Sequence, residues 1–116
     1  MLLRIPDEAI FESILGVKPI QAIPEDGFWH YQLTDQAGIT LHFSFNCHQA
    51  SIQTSLSLDG RTIQTVVQEG ASIIRPISLQ GVVGIQAEFE YSDTKSALEI
   101  FVSPFILVKW YTLLEV

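Results

Sequence analysis

The side chains best suited to chemistry in this chain are three histidines, His30, His42 and His48, and one cysteine, Cys47. Imidazole and thiolate groups bind transition metals and act as bases or nucleophiles. The surrounding pattern predicts strands, so His42 and His48, on one predicted strand, would lie about 20 Å apart and could not share an ion. His30 falls diagonally across from His42, and the two would share a ligand only if both rings leaned together. Because the ligand spacings of zinc sites are absent, the sequence predicts no metal site and no cofactor.

Cys47 and His48 are adjacent in the sequence, which argues against a catalytic pair. Neighbouring side chains of a strand point to opposite faces, whereas a nucleophile and its base must face each other. The sequence therefore predicts no catalytic residues, and we interpret Cys47 as a buried, inert thiol packed against Ile52.

Three carboxylates in the second half of the chain form a predicted acidic patch. A turn at Thr94 and Lys95 would place Glu90 opposite Glu99, with Glu88 on the same face. Like charges directly opposite each other are unfavourable, so such a pair could serve acid–base chemistry, a hard cation or a basic partner. A simple solvated acidic face is the other interpretation of these residues.

The strongest candidate for a binding surface is a predicted sheet face whose polar residues carry no charge. An exposed sheet face usually carries Lys and Glu, whereas amides and hydroxyls can be desolvated at modest cost when they are paired. This face is therefore interpreted as solvated, or as covered by the helix, by a second copy of the chain, by another protein or by a small ligand. The predicted binding residues on it are His30, Gln32, His42, Ser44, Asn46, Gln53 and Ser55.

Trp110 and Tyr111 are a second candidate contact, within the apolar segment that follows Pro104. This segment is apolar on both faces, and its β-branched and aromatic residues favour a strand over a helix. An exposed edge of this kind would aggregate, so we expect either a central core strand or a dimer contact.

The elements that position these residues follow from the hydrophobic period. Apolar and polar residues alternate from Phe28 to Gln68, which is typical of strands with one buried face. The turns predict that Leu33 pairs with Leu41, Phe43 with Leu56, and Leu56 with Ile63 across Asp59-Gly60, and they place Ile52 against Val67. Pro76 indicates an edge strand or a bulge in the later part.

The pattern predicts one domain over residues 1–116 with a mainly β fold. We expect an antiparallel meander of about seven or eight short strands over about 28–114, curled as a barrel or a two-layer sandwich. One helix over about 6–15 packs on it, with Pro6 at its first position, Gly16 at its end, and an apolar stripe of Ile10, Phe11, Ile14 and Leu15.

The composition limits the classes of partner. The net charge of −7 argues against nucleic acid and against an anionic membrane surface. No apolar run is long enough to span a bilayer, the first residues do not resemble a secretory signal, and a single cysteine forms no internal disulfide. We therefore expect a cytoplasmic protein.

These observations favour a non-enzymatic interaction module of the inhibitor, immunity or adaptor type. It would self-associate or bind another protein through the uncharged face. The alternative is a small-ligand-binding or catalytic half-barrel with a pocket lined by Trp29, His30, Tyr31 and His42. An accessory domain with no ligand of its own is a third hypothesis.

Overall fold

The computed structural model describes residues 2–114, which form nine strands and one α-helix. The helix α1 spans Glu8–Leu15 and is followed by β1 (Gln21–Ile23), a 3₁₀ turn (Pro24–Asp26), β2 (Phe28–Thr34), β3 (Ile39–Asn46), β4 (Ser51–Leu58) and β5 (Arg61–Glu69). The second half contains β6 (Ala71–Leu79), β7 (Val82–Glu90), β8 (Thr94–Phe101) and β9 (Leu107–Leu114).

The strands form two antiparallel sheets in the order of the chain. Sheet 1 has the order β1-β2-β3-β4-β5, and sheet 2 has the order β6-β7-β8-β9. The sheets do not close into a barrel, so the molecule is a two-layer sandwich. The mainly β meander with one leading helix is confirmed. Within the described residues the strands outnumber the predicted seven or eight, because β1 arises from a segment expected to be an extended connection.

The first hairpin has the predicted register, and the second is shifted. Leu33 pairs with Leu41 as expected. In the β3–β4 hairpin, Leu41 and not Phe43 lies opposite Leu56, because the connection between these two strands takes four residues, 47–50. A shift of two residues keeps every side chain on its face, so the predicted inner residues of β3 and β4 remain inside.

The third hairpin departs from the prediction in a way that changes faces. The Asp59-Gly60 turn forms, but a register shift between Leu56 and Ser57 sets Leu56 opposite Gln64. A bulge adds one residue to one strand and therefore turns the following side chains over. As a result Ile63 and Val67, predicted to lie inside against Leu56 and Ile52, are 58% and 60% exposed.

In sheet 2 the β7–β8 turn lies two residues earlier than expected. The turn forms around Ser92 and Asp93, where the Tyr91 amide bonds to the Thr94 carbonyl, and Phe89 lies opposite Ser96. Both turn residues are strong turn formers, and their use displaces the predicted pairs by four positions. Pro76 lies in β6, an edge strand as predicted.

The helix begins later than predicted and packs between the sheets. Asp7 is extended, with ψ 147°, so the helix starts at Glu8 and Pro6 lies before it. Gly16 ends the helix in the left-handed conformation, as expected. Phe11 is buried and lies 5.1 Å from the Phe45 ring centroid and 5.5 Å from that of Tyr31.

Several polar contacts join sheet 1 to sheet 2, among them one in the interior and one at an end of the sandwich. The Trp110 indole donates to the Thr54 hydroxyl at 3.0 Å across the interior. At one end of the sandwich, the Asp35 carboxylate accepts hydrogen bonds from the amides of Ala37 and Ile39 in its own turn and of Ile106 in the β8–β9 loop. The Asp35 side chain thus connects two hairpins of different sheets.

We expect Phe11→Ala to lower the free energy of unfolding by about 3–5 kcal/mol, because it removes a fully buried ring that contacts three other aromatic rings. Ile10→Ala is the control on the same helix, at a side chain that is 38% exposed, and should cost less than about 1 kcal/mol. Urea unfolding measures both values, and equal costs would contradict the described packing of the helix.

Asp35 should make the thermal stability depend on pH in the acid range. The hydrogen bond from the Ile106 amide, assisted by those within the turn, lowers the pKa of Asp35. A carboxyl whose folded pKa lies below its unfolded value stabilises the fold above the unfolded pKa and loses that effect as the pH falls through the folded pKa. Melting temperatures measured between pH 6 and 2 should therefore fall more steeply for the native chain than for Asp35→Asn. Asp93→Asn, in an exposed turn, is the matched control.

Candidate functional site

The outer face of sheet 1 is the candidate site, and we call it the neutral face. It consists of the side chains of β2 to β5 that point away from sheet 2. In register it contains the rows His30, Ser44, Gln53 and Val67, and Gln32, His42, Ser55 and Thr65. All seven polar residues predicted to bind on these strands lie on it: His30, Gln32, His42, Ser44, Asn46, Gln53 and Ser55.

The position of the helix decides which face is available. Phe11 packs against Tyr31, Phe43 and Phe45, which all point to the interior. The helix therefore lies on the side opposite the neutral face, and the interpretation that the helix covers this face is wrong.

Two apolar side chains of the neutral face were not expected there. The bulge in the β4–β5 hairpin turns Ile63 and Val67 outward, so an exposed apolar strip lies beside the polar rows. No residue type specifies a bulge at Leu56/Ser57, and the alternation alone placed both side chains in the core.

Several polar groups on the neutral face are paired across strands. The hydroxyls of Thr34 and Thr40 are 2.7 Å apart, and those of Ser55 and Thr65 are 3.2 Å apart. Paired hydroxyls lose little when a partner removes water from them. The face is thus suited to being covered.

The two histidines form the most distinctive feature of the neutral face. His30 Nε2 and His42 Nδ1 are 3.0 Å apart, and the ring centroids are separated by 5.2 Å. Partial burial lowers the pKa of His30, and the neighbouring His42 lowers it further. The two rings lean together, as the sequence analysis required for His30 and His42 to share one ligand.

Formal charges lie at the margins of the neutral face. Asp35 is the only charged residue between Phe28 and Leu58, and it lies in the turn after β2. Arg61 and Glu69 mark the two ends of β5, and the 3₁₀ turn before β2 supplies Glu25 and Asp26. The result is an uncharged centre with mainly acidic ends.

The predicted acidic pair does not form. Because the β7–β8 turn is displaced, Glu90 lies opposite Lys95 and Glu99 lies opposite Gln86. Glu88 pairs with Arg75.

Glu99 is also engaged by basic and polar neighbours. Lys109 approaches its carboxylate at 3.8 Å, and the Tyr111 hydroxyl donates to it at 3.0 Å. Burial, and then this hydrogen bond, raises the pKa of Tyr111. The outer face of sheet 2 is therefore a mixed-charge surface and not a carboxylate patch.

The side chains of Trp110 and Tyr111 point in opposite directions. They lie on β9, which is an edge strand of sheet 2, so the expectation of a central core strand is wrong. Trp110 points inward beside Phe89, whereas Tyr111 points outward to Glu99. A cleft of about 540 Å³ runs along this edge, bounded on the side of sheet 1 by Gln64 and Val66.

The alternative pocket is not assembled. Trp29 and Tyr31 point into the filled interior, whereas His30 and His42 are on the neutral face. Burial, together with the carboxylates of Glu8 and Glu12, raises the pKa of Tyr31 to about 12. The four residues therefore line no common space.

Cys47 and His48 lie in the turn between β3 and β4. Cys47 is partly buried against the core, and this burial raises the pKa of its thiol, as expected for an unreactive cysteine. Among residues 2–114, no group of three or more His, Cys, Asp or Glu side chains could hold a metal ion. The described part of the chain has no helix long and apolar enough to cross a membrane.

Comparison with known proteins gives one informative match. No family model matches the sequence, and no curated protein matches it. Among solved structures, the chain is similar to a chain of the contact-dependent growth inhibition toxin–immunity protein complex from Klebsiella pneumoniae 342, with a TM-score of 0.90 and 21% sequence identity. The match covers 97% of this chain and 100% of that chain, so the two share a fold over nearly all of this chain.

His30 should titrate below pH 6.5 in the metal-free protein, because burial and His42 both disfavour its protonated form. His42→Gln removes the second cause and should move the His30 midpoint upward, while burial still holds it under 6.5. His48→Gln, in the adjoining turn, should leave the midpoint unchanged. NMR titration of the imidazole signals measures this, and an unaltered His30 in His42→Gln would contradict the described pair.

Proposed function

We propose that this chain is an immunity-type protein that binds and neutralises a protein toxin through its neutral face. The observation that carries the proposal is the full-length likeness to a chain of a toxin–immunity complex. The neutral face supports it, because nothing in the packing of the helix covers this face and its composition suits desolvation.

The chemistry of the neutral face resembles the centre of a protein interface. Interface centres are depleted of charge and contain apolar contacts surrounded by polar ones. Here Ile63 and Val67 supply exposed apolar area, while paired hydroxyls and amides supply hydrogen-bonding groups. A partner that docks flat on this face has no isolated charge to desolvate.

The charge of the chain favours a basic partner. With a net charge of −7 and carboxylates at the ends of the neutral face, the protein attracts a cationic surface over a range of about 8–10 Å at physiological salt. Two copies of the same acidic chain would repel each other, so the charge favours a foreign protein over a homodimer.

The single, partly buried cysteine is compatible with a reducing compartment, and we propose that binding takes place in the cytoplasm. Recognition by surface contact requires no cofactor. The mechanism is therefore occlusion: the toxin surface that docks on the neutral face loses access to its target.

The test is protection of cells from toxin. Contact-dependent growth inhibition toxin domains are expressed one at a time in cells that carry the chain, and growth should be restored for the cognate toxin. The variant His42→Glu, Ser44→Lys places two charges in the middle of the neutral face without altering the net charge. We expect protection to fall by at least about tenfold in the toxin dose tolerated, since removing water from two charges at the centre of an interface costs more than about 1.4 kcal/mol even where they pair with each other.

The matched control is Ala9→Glu, Ser13→Lys, which introduces the same two charges at exposed positions of α1, one helical turn apart. It should protect like the native chain. Protection against no toxin of this class would contradict the immunity-type role. Undiminished protection by the His42→Glu, Ser44→Lys variant would contradict the assignment of the face.

A further inference from the structure

The paired imidazoles of the neutral face have a geometry that protein binding does not require. His30 and His42 lie on adjacent strands in diagonal register, since His30 pairs with Ser44 and Gln32 pairs with His42. The strand register sets the positions from which both side chains start, and the two facing nitrogens are 3.0 Å apart. Both side chains are only partly buried, so an ion can reach them from solvent.

We propose that His30 Nε2 and His42 Nδ1 form a two-imidazole site for a divalent transition-metal ion of tetragonal preference, Cu²⁺ first and Ni²⁺ next. Two nitrogens at right angles to each other and about 2.1 Å from one ion are about 3.0 Å apart. The hydrogen-bonded separation of 3.0 Å is close to this cis distance, so a rotation of the two rings about their side-chain torsions aims both lone pairs at one ion. Tetrahedral Zn²⁺ would need a separation of about 3.4 Å and is the poorer fit.

The protonation states allow an ion to bind without a change in the charge of either imidazole. In the neutral pair, one of the two facing nitrogens carries the proton that the other accepts. Metal binding needs both facing lone pairs, so that proton moves to the far nitrogen of the same ring. Each imidazole remains neutral with one N–H, and the ion enters between the rings.

The rest of the coordination sphere is open. Among residues 2–114 no third His, Cys, Asp or Glu joins the pair to complete a metal site, and the flanking Gln32 and Ser44 are weak ligands. Water therefore occupies the remaining positions, which face away from the sheet. An ion at this place adds a positive charge to the middle of the otherwise uncharged face.

The test uses the metal alone, on metal-free protein in a Cys47→Ser background so that the thiol does not reduce Cu²⁺. Calorimetry gives the affinity for Cu²⁺, and electron paramagnetic resonance reports the number of bound nitrogens. We expect one site with two imidazole nitrogens. His30→Gln and His42→Gln should each weaken binding by at least about tenfold, because even the loss of an outer-shell partner costs about 10–100-fold.

His48→Gln is the matched control and should bind like the parent protein. A second measurement needs no substitution in the pair: substoichiometric Cu²⁺ should broaden the NMR ring signals of His30 and His42 before those of His48. Equal affinity in His42→Gln and the parent, or broadening that begins at His48, would overturn the site. Both measurements omit the toxin, so failure here is distinct from failure of the immunity-type role.

Discussion

The packing of Phe11 against Tyr31, Phe43 and Phe45 is the contact on which the rest of the structure depends. In this cluster of four rings, the odd-numbered side chains of β2 and β3 point inward and pack against the buried face of the helix. Since strand side chains alternate strictly, the even-numbered histidines, glutamines and serines must then point outward. The neutral face is thus a direct consequence of an aromatic core on the other side of the same strands.

The two outer faces of the sandwich differ in the distribution of their charged side chains. On sheet 2, opposite charges on neighbouring strands form ion pairs, such as Arg75–Glu88 and Lys109–Glu99. On sheet 1, charge is absent from the middle and appears at the ends. A surface that only had to remain soluble would need no such separation. The contrast supports contact with a partner on sheet 1 and solvation of sheet 2.

The sequence predicted the faces of β2, β3 and β4 because alternation over these strands is regular and errors of two residues do not change a face. Prediction failed at Ile63 and Val67, where a single bulge residue reverses the alternation and no residue type marks its position. It failed again at Glu90, because the prediction placed the turn at Thr94-Lys95, whereas Ser92-Asp93 has the stronger turn propensity and forms the turn.

The contact between the His30 and His42 rings could also not be predicted from the sequence. Strand register placed them diagonally, but whether the rings lean together depends on side-chain rotamers that the sequence does not encode. The role of Asp35 was also not predicted, since its contact with the Ile106 amide joins positions that are distant along the chain.

The proposed use of the neutral face is best tested by NMR of the chain bound to a toxin against which it protects cells. The side-chain signals of Gln32 and Gln53 report on the neutral face, and that of Gln86, beside Arg75 and Glu99, reports on the outer face of sheet 2. We expect the toxin to shift or broaden the signals of Gln32 and Gln53 and to leave that of Gln86 unchanged. A shift at Gln86 with Gln32 and Gln53 unaffected would contradict it.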